Sequence, residues 1–150
     1  MKLKIPPLAL VVLVGLAMVL ASRLVPGIDI GAMPGALLAL LLAGAGCYFC
    51  VFGVLEFRRH QTTVDPRYPD KSSALVSSGV YALSRNPMYV GFALWLCALV
   101  AFLQSPWLLI GVLFFVWYID RFQIRPEEAA LSQHFGEQFS EYRARVRRWI

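Results

Sequence analysis

Three stretches of the chain, residues 5–21, 35–57 and 88–119, are apolar enough to leave water, and the polar residues gather in blocks between and after them. The third stretch is interrupted by Gln104-Ser105-Pro106 and, at 32 residues, is too long for one pass, because a bilayer core takes about 20 helical residues. It reads either as one very tilted helix or as two short helices folded at Pro106. After Ile119 the pattern changes. Leu131, Phe135, Phe139, Tyr142, Val146 and Trp149 recur at spacings of three and four, while Glu137, Glu141, Arg143, Arg145 and Arg147 take the other faces. That periodicity predicts an amphipathic helix lying on lipid. Pro126 suits its first helical position, and Glu127 and Glu128 its first turn.

Charge selects the hairpin. With four spans, two of the Lys and Arg residues lie at the N-terminus, one in the first loop, five in the loop over residues 58–87 and six in the tail. Thirteen then share one face and only Arg23 lies on the other. A single pass would translocate the tail with its six arginines, against the tendency of short basic flanks to stay cytoplasmic. The halves of the hairpin are short and should tilt, thin the bilayer or run on into the interface.

The expected architecture is therefore an all-α polytopic membrane protein with about four transmembrane helices, including a short hairpin, plus a C-terminal amphipathic helix. It forms one domain over residues 1–150: two spans in 1–57, a cytoplasmic loop in 58–87, the hairpin in 88–119 and a cytoplasmic tail helix in 120–150. Both termini are expected on the cytoplasmic side of the inner membrane. The 59% hydrophobic content and mean hydropathy of +0.63 fit a small domain in lipid. Lys2 and Lys4 before an apolar run ending in Val19-Leu20-Ala21 also permit a secretory reading, and the first span is expected to be retained.

Small residues at Gly35, Ala39, Ala43 and Cys47 form a stripe that lets another helix approach closely. Cys47, Cys50 and Cys97 lie inside spans and are expected to act as small buried hydrophobes. His60 and His134, far apart in sequence, support neither a metal site nor a catalytic triad and are expected on the solvated surface. No GxGxxG or GxxxxGK[ST] pattern occurs. The basic charge sits beside lipid, which favours a membrane-facing role over nucleic-acid binding.

Candidate chemistry gathers where the hairpin returns. Asn86-Pro87 is a strong helix start, and it places free backbone N–H groups beside Arg85, a site for an anionic group. Glu127 and Glu128 return to that face, as do Glu56, Asp120 and Arg121 at the mouths of spans. Each also has a structural reading, as an interfacial anchor or a helix-start carboxylate.

Leu75-Val76-Ser77-Ser78-Gly79-Val80-Tyr81, then Ser84-Arg85-Asn86-Pro87-Met88-Tyr89-Val90-Gly91, then Arg125-Pro126-Glu127-Glu128, Leu131, Phe135-Gly136, Tyr142 and Val146-Arg147-Arg148-Trp149 resemble the isoprenylcysteine carboxyl methyltransferase and phospholipid methyltransferase family. The resemblance covers roughly residues 60–150. It implies an S-adenosylmethionine-dependent membrane methyltransferase acting on a lipid or lipidated acceptor, an isoprenylcysteine-like carboxylate or a phospholipid amine. By that resemblance Arg85, Asn86 and Pro87 hold the methionine carboxylate or its surroundings, and Tyr81 and Tyr89 pack on the cofactor. Gly91 permits close approach, the backbone at Leu75 and Val76 borders the adenine, and Glu127 and Glu128 complement the cofactor's positive charges. Arg85, Glu127 and Glu128 are the catalytic candidates, Arg121 and Arg125 further pocket candidates, and no metal is implied. Many eukaryotic members have His where this chain has Asn86. An NADPH-dependent sterol-reductase-like enzyme and a non-enzymatic membrane scaffold are the alternatives; the reductases usually have Asn where this chain has Met88.

Overall fold

The structure, a computed structural model, describes residues 5–60 and 75–150. All regular elements among the described residues are helical: α1 (Pro7–Ala21), α2 (Ala32–Arg59), a 3-10 turn (Gly79–Ala82), α3 (Pro87–Leu103), α4 (Leu109–Ile119), α5 (Arg125–Phe135) and α6 (Glu137–Arg145). Lys2, Lys4, Arg67 and Lys71, four of the basic residues assigned to one face, lie outside the described residues.

Residues 88–119 fold as two helices joined by a turn at Gln104–Leu108. Gln104 ends α3 in the left-handed conformation at φ 51°, and a 3-10 turn at Pro106–Leu108 starts the return. Gln104 also joins this turn to the α1–α2 loop: its carbonyl accepts from Ile28 N–H at 2.7 Å and its side-chain amide donates to Gly31 O at 2.8 Å. A Cβ at Gly35 would lie 2.6 Å from that amide nitrogen, so the glycine makes room for the tie.

Leu10, Val14 and Met18 of α1 pack with Leu96 of α3 and with Val112, Phe115 and Ile119 of α4 in one core. Outside it, Leu16, Leu20, Leu40, Leu41, Phe102, Ile110, Leu113 and Trp117 are exposed, an apolar belt far beyond what a soluble monomer shows. Ala32–Arg59, with 28 residues, and the continuous helical run Pro106–Phe135, with 30, are long and apolar enough to cross a membrane. α1 and α3, with 15 and 17 residues, are shorter apolar helices.

α2 meets α3 through a small-residue face whose register differs from the predicted stripe. Gly35 and Ala39 are buried, but the line continues through Gly46 and Gly53, while Cys47 is exposed. A strict repeat of four drifts off a 3.6-residue helix by about 40° per step, and the contact follows the helix. Cys47 is thus not a buried hydrophobe, and Cys50 and Cys97 are half-buried.

The run from α4 into α5 corrects a second expectation. The chain does not break before Pro126; residues Asp120–Ile124 form a π turn in which Arg125 N–H bonds back to Asp120 O, and the helix continues. Proline lacks an N–H and its ring crowds the preceding turn, and a widened turn just before it relieves both. The tail is also not one helix. Gly136, at φ 52° and ψ −117°, separates α5 from α6. Phe139 and Tyr142 of α6 are buried, and Leu131, Phe135, Val146 and Trp149 are partly buried against the protein.

Candidate active site

At the end of the bundle opposite Gln104, the hairpin brings Arg85 to Glu128. The guanidinium Nη2 donates to Glu128 Oε1 at 2.7 Å and Nε to the same oxygen at 3.2 Å. Arg148, from beyond α6, reaches the same carboxylate: its Nη2 donates to Glu128 Oε2 at 2.6 Å and its Nη1 to Asp120 Oδ1 at 2.8 Å. Arg125 then closes on Asp120 Oδ2 at 2.8 Å. One buried carboxylate, Glu128, therefore stands between two guanidiniums, with the Arg85 side chain only 8% exposed. The hydrogen bonds it donates to Glu128 and Asp120 raise the Arg148 pKa above the ordinary arginine value, so its charge is permanent.

The same arginines strap the C-terminal segment over the start of α3. Arg85 donates through Nη1 to Val146 O at 2.5 Å, and its backbone N–H donates to Arg147 O at 3.0 Å. Asn86 occupies the N-cap position and Pro87 the first helical position, as predicted, but the Asn86 side chain does not cap. It donates instead to Arg148 O at 2.9 Å, and Ser84 Oγ accepts the Asn86 backbone N–H at 3.0 Å.

A second polar group lies one helical turn further in. Tyr89, buried on α3, donates its hydroxyl to Glu127 Oε2 at 3.2 Å. Among the described residues Glu127 makes no ion pair, whereas its neighbour Glu128 makes two. Gln123 stands beside both, fully buried on the π turn.

Tyr81 and Val76 belong to a separate apolar cluster. Val76, Val80 and Tyr81 pack on Phe49 and Phe57 of α2, with the Tyr81 ring edge-on to Phe57 at 5.3 Å. Glu56 anchors that turn by accepting from Ser78 Oγ at 2.6 Å, and a Cβ at Gly79, whose φ is +58°, would meet the Glu56 carboxylate. Leu75 is half-buried at its edge. Tyr142 donates to the Tyr81 carbonyl at 2.7 Å and so ties α6 to the turn. Burial pushes the Tyr142 hydroxyl well above the ordinary tyrosine range, so it remains a donor. Tyr142→Phe is expected to lower stability by about 1 kcal/mol, read as a drop in thermal midpoint in detergent.

Gly91 faces α2, where a Cβ would lie 2.6 Å from Gly46 O and 2.5 Å from Cys50 Sγ. Helix contact alone therefore requires a glycine there. Arg121 is exposed, and Arg125 reaches the network only through Asp120. His60 and His134 are exposed.

Sequence reasoning gave no role to Arg148 or Gln123. Arg148 entered only within the Val146-Arg147-Arg148-Trp149 motif, with nothing to mark it from the adjacent arginine. Gln123 had one available signal, a lone amide in an apolar-to-charged transition.

A family model described as phospholipid methyltransferase matches residues 35–138. The protein-S-isoprenylcysteine O-methyltransferase of Rattus norvegicus is 38% identical over 114 residues, 70% of this chain and 39% of the rat protein. That of Xenopus laevis is 37% identical over 75 residues, 50% of this chain and 26% of its own. An uncharacterized protein of Haemophilus influenzae is 36% identical over 63 residues, 42% of this chain and its own full length. The chain thus spans between a quarter and two fifths of the length of these two named methyltransferases. No solved structure matches. With 104 consecutive residues under the family model, carrying the hairpin, Arg85 and both glutamates, this chain belongs to the phospholipid methyltransferase family.

Proposed function

We propose that this protein transfers a methyl group from S-adenosylmethionine to a lipid or lipidated acceptor at the face of the membrane where Arg85, Glu127 and Glu128 meet. The observation that carries the reading is the polar centre at the helix ends of an otherwise apolar bundle: Tyr89 and Glu127 beside the Arg85–Glu128–Arg148 cluster. Ionisable groups at that depth need a functional reason. The residues fit the cofactor's charges. Glu127, with a tyrosine hydroxyl and no ion pair among the described residues, suits an ammonium or sulfonium, and Arg85 beside the start of α3 suits a carboxylate.

When bound, S-adenosylmethionine supplies an electrophilic methyl group on a sulfonium. The protein's part is positioning and exclusion of water. Arg85, Asn86 and Pro87 line the carboxylate end, Tyr81 and Tyr89 offer aromatic surface, the backbone at Leu75 and Val76 borders the adenine, and Gly91 sets the α2–α3 spacing on which the pocket depends. A carboxylate acceptor needs no general base. An amine acceptor must first lose a proton; of the two candidates Glu127 and Glu128, Glu127 would take it, because Glu128 is held ionised by Arg85 and Arg148. In this reading the chain crosses the inner membrane four times, both termini and the site are cytoplasmic, and the acceptor enters sideways from lipid between helices.

Membranes containing the protein, given methyl-labelled S-adenosylmethionine with a farnesylated cysteine or phosphatidylethanolamine, are expected to yield a labelled lipid-soluble product. Saturable NADPH binding without S-adenosylmethionine binding would overturn the reading in favour of a reductase.

A further inference from the structure

Gln123 has no place in any reading of the motifs, yet its surroundings are unusual. It is 2% exposed, and its side-chain nitrogen makes no hydrogen bond with any described residue. The amide lies beside the Tyr89 hydroxyl and the Glu127 carboxylate, near enough to bear on both, but its nitrogen closes a bond of hydrogen-bond geometry with neither. An unmade hydrogen bond at a buried amide is destabilising, so native proteins rarely keep one without a use.

The backbone shows how the amide comes to be there. Along α4 the inward residues are Val112, Phe115 and Ile119, at helical spacing. An uninterrupted α-helix would place Gln123 or Ile124 inward, not both. The π turn at Asp120–Ile124 inserts one extra residue, and Gln123 and Ile124 are both buried, at 2% and 0%. Ile124 fills the core and Glu128 follows one turn later onto Arg85, which leaves Gln123 as the extra inward side chain. π turns of this kind concentrate at functional sites.

We propose that the Gln123 side-chain amide donates a hydrogen bond to an oxygen of a molecule bound against Tyr89 and Glu127. This rests on the methyl-transfer reading, in which two molecules offer such an oxygen: S-adenosylmethionine, through its carboxylate or ribose, and the acceptor, through its carboxylate or headgroup.

Gln123→Met and Gln123→Leu test it, since each replaces an unbonded amide with apolar atoms of similar reach. Both variants are expected to fold with a thermal midpoint equal to or above that of the wild type. Either the affinity for S-adenosylmethionine, titrated without acceptor, or the KM for a farnesylated cysteine should then worsen by about five- to tenfold, the effect of one hydrogen bond. The first result assigns the donor to the cofactor, the second to the acceptor. Unchanged affinity and KM in a folded variant overturn the proposal. Failure of both variants to fold also overturns it, because the amide would then be supporting the ligand-free helix. Absence of S-adenosylmethionine binding by the wild type is a separate result, which removes the methyl-transfer reading and this assignment with it.

Discussion

Glu128→Gln is expected to unfold the Arg85 end of the molecule and abolish activity together, with a loss of about 3 kcal/mol in stability. Glu128 accepts four hydrogen bonds, two each from Arg85 and Arg148, across its two oxygens, at 3.1 to 3.2 Å and at 2.6 to 2.7 Å. A glutamine keeps the shape but turns one oxygen into a donor facing a guanidinium. Arg85, almost fully enclosed, would be left as an uncompensated buried cation. Arg148 would suffer less, because 29% of its side chain is exposed and Asp120 still holds it. The same substitution should release residues 146–148, whose carbonyls depend on Arg85 and Asn86. Faster amide hydrogen exchange over residues 139–150, alongside a lower thermal midpoint, is the expected measurement. Normal exchange in that segment would show that the arginines are not what holds the tail.

Gly91→Ala is the second substitution of large expected effect, at about 3 kcal/mol, the upper part of the range for overpacking. The new methyl would fall 2.6 Å from Gly46 O and 2.5 Å from Cys50 Sγ. A cysteine side chain can turn away, but a helix carbonyl moves only if α2 moves. From the other side, a Cβ at Gly46 would meet Trp95 and Gly91 O, so neither helix has slack at the crossing. In lipid there is little hydrophobic gain to offset the separation, because association there rests on close packing. Displacing α2 would also shift Phe57 and Glu56, on which the Tyr81 turn is seated. Loss of folded protein in detergent is expected, and pairing Gly91→Ala with Cys50→Ala should recover only part of it.

Much of this was legible in the chain. Hydropathy marks the apolar helices, the charge distribution selects the hairpin, and the hairpin is what lets Arg85 reach Glu128. The Asn86-Pro87 start of α3 was also readable, because a proline at the first helical position leaves little choice of backbone. The role of the Asn86 side chain was not, since that depends on a carbonyl contributed by Arg148, 62 residues away. The small-residue stripe was readable as a kind of surface but not in register: a repeat of four and a helix of 3.6 part company within two turns, and only the partner helix shows which residues stay in contact.

By itself, then, the sequence determined the apolar helices, the turn at Gln104, the family and the face on which the charged motif residues gather. The helices and the turn follow from local composition and from the requirement that a helix in lipid satisfy its own backbone, the family from the resemblance of the motifs over residues 75–91 and 125–149. The tertiary structure decided which charges pair. Arg85, Arg125, Arg148 and Glu127, Glu128 are alike in type and differ only in where the π turn at Asp120–Ile124 and the bend at Gly136 send them. Coulomb attraction has no preference among identical groups in a sequence. The extra residue of the π turn aims Glu128 at two arginines and leaves Glu127 with a tyrosine and the Gln123 side-chain nitrogen without a partner among the described residues, because side-chain direction is set by the backbone that carries it.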